Sequence, residues 1–117
     1  RCVEVAEGDW VWVVGDDDVP VSGAVEAVLR NIRQYPNTVV FNYSSDIFRR
    51  EAEIVTIGRA DLLYRYDNLM ELVFISCSVL NTREIRPHLM VAYHFLSYSS
   101  PHVVLMIAAA GEGGVCR

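Results

Sequence analysis

Residues Trp10 to Val14 read WVWVV, an unbroken apolar run that stops at Gly15 and gives way to three aspartates, Asp16, Asp17 and Asp18. Such a run without alternation is the pattern of a strand buried on both faces, which predicts a parallel sheet flanked by helices. The aspartates then fall at the C-terminal end of that strand, where α/β sheets bind their ligands. Pro20 and Ser22 open the next element, and Val25, Val28, Leu29 and Ile32 follow at the spacing of an amphipathic helix.

Pro36-Asn37 ends that helix, and Thr38 to Tyr43 predicts a second strand. Ser44 to Glu53 reads as a polar loop or hairpin, and Glu53 to Ile57 as a short third strand. From Ala60 to Val73 the set Leu62, Leu63, Tyr66, Leu69, Met70 and Val73 predicts a helix, and Phe74 to Leu80 a segment crossing the core. Thr82 to Leu96 reads as helical, started or kinked by Pro87. Ser99-Ser100-Pro101 starts a last helix with a capping hydroxyl, Gly111 stops it, and Gly113-Gly114 loosens the tail. The expectation is one α/β domain over residues 1–117, because this length holds one core and not two. With so little sequence ahead of Trp10 to cover its other side, the first strand reads as part of a larger sheet.

Composition narrows the functional classes. Hydrophobic residues make up 52% and charged residues 21%, which predicts a folded chain. The net charge of -5 argues against a nucleic-acid partner, which asks for a basic face. All ten basic residues are arginines, so lysine-dependent chemistry such as the P-loop or a Schiff base is excluded. Cys2, Cys77 and Cys116 form no C-x-x-C pair and read as buried thiols of a reducing compartment. With no signal peptide and apolar runs too short to span a bilayer, the expectation is a cytoplasmic chain without a transmembrane segment. Arg1 stands where an initiator methionine would, which predicts upstream sequence or a removed start.

Three carboxylates at the end of a buried strand are costly unless a positive group offsets them. A divalent ion shared with diphosphate oxygens would do so, and Mg²⁺ or Mn²⁺ accept that ligand set. The plainer alternative is a solvated acidic turn ahead of a helix.

The stretch GDWVWVVGDDDVPVSGAVEAVLRNI resembles the family-two glycosyltransferases of GT-A fold, in which a strand delivers a D-x-D or D-D-D motif followed by a proline or glycine and a helix. FISCSVLNTREI, from Phe74 to Ile85, is similar to the segment in which these enzymes place a small-residue loop before an R-E turn. The resemblance implies a partial GT-A-like three-layer α/β sandwich, lacking the N-terminal half that binds the nucleotide base. It implies metal-dependent transfer of a sugar from a nucleotide-sugar donor to a sugar or lipid-linked hydroxyl acceptor. Asp16 and Asp18 then correspond to the metal-holding ends of the motif, with Asp17 beside them at the donor's diphosphate, and Mn²⁺ or Mg²⁺ as the cofactor. The family's acidic E-D pair at a later helix start is replaced here by Pro101-His102, which makes His102 the residue placed to act as base.

Other assignments compete. Asp16 to Val19 also fits the D-x-D-x-[TV] start of haloacid-dehalogenase-like phosphatases, but the lysine that family needs is missing. His88 and His94 are six apart, on different faces of a regular helix, so with His102 they read as packing or surface residues. Arg49-Arg50 and Arg83/Arg86 suit phosphate chemically and read as solvated. The aromatics Trp10, Trp12, Phe41, Tyr43, Tyr64 and Tyr66 mostly read as core; Trp12 or Tyr43, near the aspartates, could stack on a sugar, but nothing in the sequence selects them. A sheet side left open predicts a homo-oligomer, and with it a non-catalytic, self-associating interaction module.

Overall fold

The computed structural model describes residues 1–45, 52–66 and 69–117. Its strands are β1 (Trp10–Trp12), β2 (Thr38–Asn42), β3 (Thr56–Ile57), β4 (Ser78–Asn81) and β5 (Val115–Cys116). They form one mixed sheet in the order β1-β4-β2-β5-β3. The helices are α1 (Cys2–Val5), α2 (Ala24–Gln34), α3 (Gly58–Arg65), α4 (Met70–Val73), α5 (Thr82–Ile85), α6 (Leu89–His94) and α7 (Pro101–Ala110).

The chain is therefore a mixed α/β fold, but its sheet is not the parallel one the apolar run predicts. β4 inserts between β1 and β2 and runs antiparallel to both, and among the described residues only β2 and β5 pair in parallel. The WVWVV run is not buried on both faces either. β1 ends at Trp12, pairs among the described residues with β4 alone and is half-buried throughout, while Val14 is exposed. The doubly buried strands are β2 and β4, whose TVVFN and SVLN residues are all buried.

Alternation along the strands divides the core in two. Phe41 opposes Val79 on one face, where Val28 of α2 packs with Trp10, Trp12, Ile32 and Tyr43 around them. Val40 opposes Leu80 on the other face, beneath Leu62 of α3, Ile85 of α5 and Val103, Leu105, Met106 and Ala110 of α7. Helices thus cover both sides of the sheet, and α2 carries its own side among the described residues.

Several boundaries differ from the sequence expectations. The helix expected over Ala60 to Val73 is two, α3 and α4, with Tyr66 buried at the break and Leu63, Leu69 and Met70 exposed. Thr82 to Leu96 divides into α5, a 3-10 turn over Arg86–His88 and α6, because Pro87 lacks the N–H that an unbroken α-helix needs. The third strand is two residues long, not five. Ser100 does precede α7, but its backbone carbonyl, not its hydroxyl, meets the Val103 N–H. Of the three thiols only Cys116 is buried; Cys2 is exposed and Cys77 half-buried.

The largest correction concerns the tail. Gly113-Gly114 does not loosen it: β5 follows at once and lies inside the sheet, between β2 and β3. The Gly114 N–H donates to the Ala110 carbonyl at 2.7 Å, folding the chain sharply off α7. A Cβ there would stand 2.7 Å from that oxygen and 2.9 Å from Val39 Cγ2, so only glycine permits the approach. No helix among the described residues is long and apolar enough to cross a membrane.

Candidate functional site

Beyond β1 the chain turns back on itself at Gly15, where the Asp18 N–H donates to the Gly15 carbonyl at 3.3 Å. This turn is fastened from a distant segment. The Gly15 N–H donates to Ser76 Oγ at 2.9 Å, and the Trp12 indole N–H donates to the Ser76 carbonyl at 2.7 Å. Ser76 sits in a short 3-10 turn, Ile75–Cys77, that leads into β4. The entry to β4 therefore positions the aspartate turn as well as β1.

The carboxylates gather over Gly15. Asp18 Oδ2 and Asp17 Oδ1 lie 2.9 and 3.0 Å from the point where a Gly15 Cβ would stand, with Ser76 Oγ 3.5 Å from the same point. Asp17 and Asp18 line a cleft of about 770 Å³ together with Trp12, Val14, Val19, Pro20, Val21, Val28, Tyr43, Phe74 and Ser76. Asp16 is not among its lining residues, so the two aspartates turned to the cleft are neighbours and not the ends of the triplet. All three are exposed. The burial cost inferred from a doubly buried strand therefore does not arise, because the strand ends before them.

Trp12 and Tyr43, which nothing in the sequence singles out among the aromatics, both reach this cleft. The Tyr43 hydroxyl accepts from Asn31 Nδ2 at 3.1 Å. Burial pushes its pKa above the usual phenol range against the lowering effect of that hydrogen bond and of Arg30, so at neutral pH it stays a hydroxyl that can donate.

A second, more polar cleft of about 490 Å³ adjoins the first through Tyr43 and Ser44. Asn31, Gln34, Tyr35, Glu53 and Arg117 line it. The Arg117 guanidinium stacks over the Tyr35 ring at 3.7 Å and reaches Glu53 Oε1 at 2.9 Å. Sequence reading missed these residues, because Asn31, Glu53 and Arg117 meet only through the order of the strands.

The remaining candidates lie elsewhere. His102 Nε2 meets the Val73 carbonyl at 2.8 Å. A carbonyl only accepts, so that nitrogen carries the proton, and Nδ1 is left as the acceptor in the neutral ring. His102 lines neither cleft. His94 Nδ1 meets the Met90 carbonyl within its own helix, and His88 sits in the 3-10 turn. Arg86 donates to the Ala6 carbonyl, and Arg83 is exposed on α5. Arg49-Arg50 lies outside the described residues.

Among the described residues no three His, Cys, Asp or Glu side chains converge as a ligand set. The donor set at Gly15 is instead a pair of carboxylates. It matches the way Mg²⁺ is commonly held, through one or two carboxylates with substrate phosphates and water completing the shell. No family model, no curated protein and no solved structure matches the chain.

Proposed function

We propose that this chain is the metal-binding, acceptor-side portion of a nucleotide-sugar glycosyltransferase of GT-A type. The observation that carries this reading is the meeting of its two glycosyltransferase-like segments. Gly15, at the head of the aspartate triplet, is held by Ser76 of the FISCSVLNTREI segment, and Asp17, Asp18 and Ser76 line one cleft with Trp12 and Tyr43.

Asp17 and Asp18 would hold Mn²⁺ or Mg²⁺ together with the donor's diphosphate, Asp16 standing beside them. When bound, the ion supplies Lewis-acid stabilisation of the charge on the departing nucleoside diphosphate. The protein's own part is positional. Ser76 fixes the turn, Trp12 and Tyr43 offer ring faces and a neutral hydroxyl to the sugar, and the apolar residues Val14, Val19 and Phe74 keep water from one side of it. His102 is assigned as the base for the acceptor hydroxyl only by its place in the family pattern. Its contact with Val73 and its absence from both cleft linings give that assignment no geometric support.

Calorimetric titration of Mn²⁺, with and without UDP or GDP, tests the donor site in the intact chain and in Asp17→Asn and Asp18→Asn. Metal-dependent nucleotide binding that either substitution abolishes supports it. A chain that takes up neither metal nor nucleotide does not work as a donor site by itself.

A further inference from the structure

Val28 and Ile32 of α2 pack with Trp10, Trp12, Phe41, Tyr43 and Val79, so this helix lies over β1, β4 and β2. No residue of β5 or β3 joins that cluster. β5 turns Cys116 to the opposite core, so the next residue, Arg117, faces the α2 side. Arg117 carries the ladder past β5: its N–H donates to the Val40 carbonyl at 3.0 Å, and its carbonyl accepts from the Asn42 N–H at 2.6 Å. The polar cleft of about 490 Å³ opens here, between Arg117, Phe41 and Tyr43 on the sheet and Asn31, Gln34 and Tyr35 from α2 and its end. Small-molecule sites commonly measure about 300–1,000 Å³.

The polar groups of this cleft pair among themselves and leave donors and acceptors side by side. Asn31 Nδ2 donates to the Tyr43 hydroxyl at 3.1 Å, and Gln34 Nε2 to the Tyr35 hydroxyl at 2.9 Å. Each pair keeps an amide carbonyl able to accept and a phenol proton able to donate. Turning an amide over exchanges the two roles and still leaves one of each. Arg117 Nη1 donates to Glu53 Oε1 at 2.9 Å, which leaves the second Glu53 oxygen to accept. Glu53 and Arg117 are the only carboxylate and the only cation among the described lining residues, so charge cancels within the cleft.

That arrangement selects among ligands. A phosphate or carboxylate would compete with Glu53 for the guanidinium, and an organic cation with Arg117 for the carboxylate. One carboxylate with no His, Cys or Asp beside it is a poor donor set for a metal. A nucleobase asks for an open ring face, whereas the guanidinium covers one face of Tyr35 at 3.7 Å and Phe41 is only 2% exposed. Hydroxyl groups both donate and accept, and so match paired donors and acceptors that carry no net charge. We propose that this cleft binds a neutral carbohydrate unit, its hydroxyls held by Asn31, Gln34, Tyr43 and Glu53. The site needs neither metal nor nucleotide and does not rest on the aspartate turn.

Saturation-transfer NMR on the intact chain, with EDTA present and no nucleotide, tests this. The probes are methyl glucoside, galactoside and mannoside in both anomeric forms, with uracil and inorganic phosphate as counter-probes. The expected result is millimolar binding of at least one glycoside and of neither counter-probe. Gln34→Ala and Glu53→Gln alter exposed side chains, so circular dichroism should not change. Each should weaken glycoside binding by about fivefold, the worth of one net hydrogen bond. Asp17→Asn and Asp18→Asn, in the other cleft, should leave it unchanged. The proposal is overturned if no glycoside binds, if uracil or phosphate binds in its place, or if neither Gln34→Ala nor Glu53→Gln weakens binding. Glycoside binding lost in Asp17→Asn would also overturn it, by moving the sugar to the first cleft. A chain that binds glycoside but no Mn²⁺ or UDP keeps this site and loses the donor-site reading, and the reverse result loses this site alone.

Discussion

The Gly15 N–H donates to the hydroxyl of Ser76, 61 residues further along the chain, at 2.9 Å. One bond thus ties the turn bearing the carboxylates to the segment that leads into β4. Ser76→Ala should cost about 1 kcal/mol in urea denaturation, the usual worth of one such hydrogen bond. If Asp17 and Asp18 hold metal and diphosphate, the same variant should weaken Mn²⁺-dependent UDP binding severalfold, because its carboxylates lose their footing. Calorimetry on the folded variant separates the two effects.

Gly15→Ala tests the carboxylate arrangement from beneath. The new methyl would lie within about 3 Å of Asp18 Oδ2 and Asp17 Oδ1, and both are exposed side chains that can swing aside. Stability should change by less than about 1 kcal/mol, as for most surface substitutions, while metal-dependent nucleotide binding falls. Thermal melting and calorimetry on one sample check both halves.

Gly58→Ala should be far more damaging. Gly58 has φ +76°, and a Cβ there would stand 2.5 Å from the backbone oxygen of Glu112. Neither the backbone conformation nor the contact can relax without moving β3 away from β5. A loss of more than about 2 kcal/mol in chemical denaturation is expected, since strained φ and a backbone clash add.

Asp61 contributes a small acid-sensitive increment. Its carboxylate accepts from the Ile57 N–H and from Arg65 Nε, and these hold its pKa below the ordinary value of 3.8. A carboxylate whose pKa is lower folded than unfolded adds stability above the unfolded pKa and loses it as pH falls through the folded one. Wild type should therefore exceed Asp61→Asn in stability at pH 6, with the difference vanishing as pH drops below 3.8 toward the folded pKa. Paired denaturation curves across that range measure it.

The three thiols should react in order of access. Cys2 is exposed and Cys77 half-buried, whereas Cys116 is buried between β2 and β3 with its pKa pushed up to about 11, chiefly by desolvation. At pH 8 a thiol reagent should label Cys2 first, and Cys116 only at the rate of unfolding. Labelling of Cys116 as fast as Cys2 would mean that the β5 position frays in solution.

Elements with local signals were legible in the sequence. α2 carries its own spacing, β2 lies between Pro36-Asn37 and a polar stretch, and α7 is punctuated by Pro101 and Gly111. Features set by distant partners were not. WVWVV has the composition of a doubly buried strand, and it lies at the edge because β4, more than sixty residues later, takes the place beside β2. β5 is two residues after a glycine pair, too short for alternation to register. At the site, the aspartate triplet could be read directly, whereas nothing local singled out Trp12 and Tyr43 among the aromatics. The inward turn of Asp17 and Asp18, the hold of Ser76 and the Arg117–Glu53 pair depend on strand order and leave no local trace.

The placement of β5 has a consequence for how the protein is made. Among the described residues β3 joins the sheet only through β5, so residues 56 and 57 find that partner strand only once residues 115 and 116 have left the ribosome. β1, β2 and β4 are complete by Asn81 and can assemble on the growing chain. A nascent chain halted between those points would hold a three-stranded sheet with β2 bare along one side, a natural target for chaperones that capture exposed strands during synthesis.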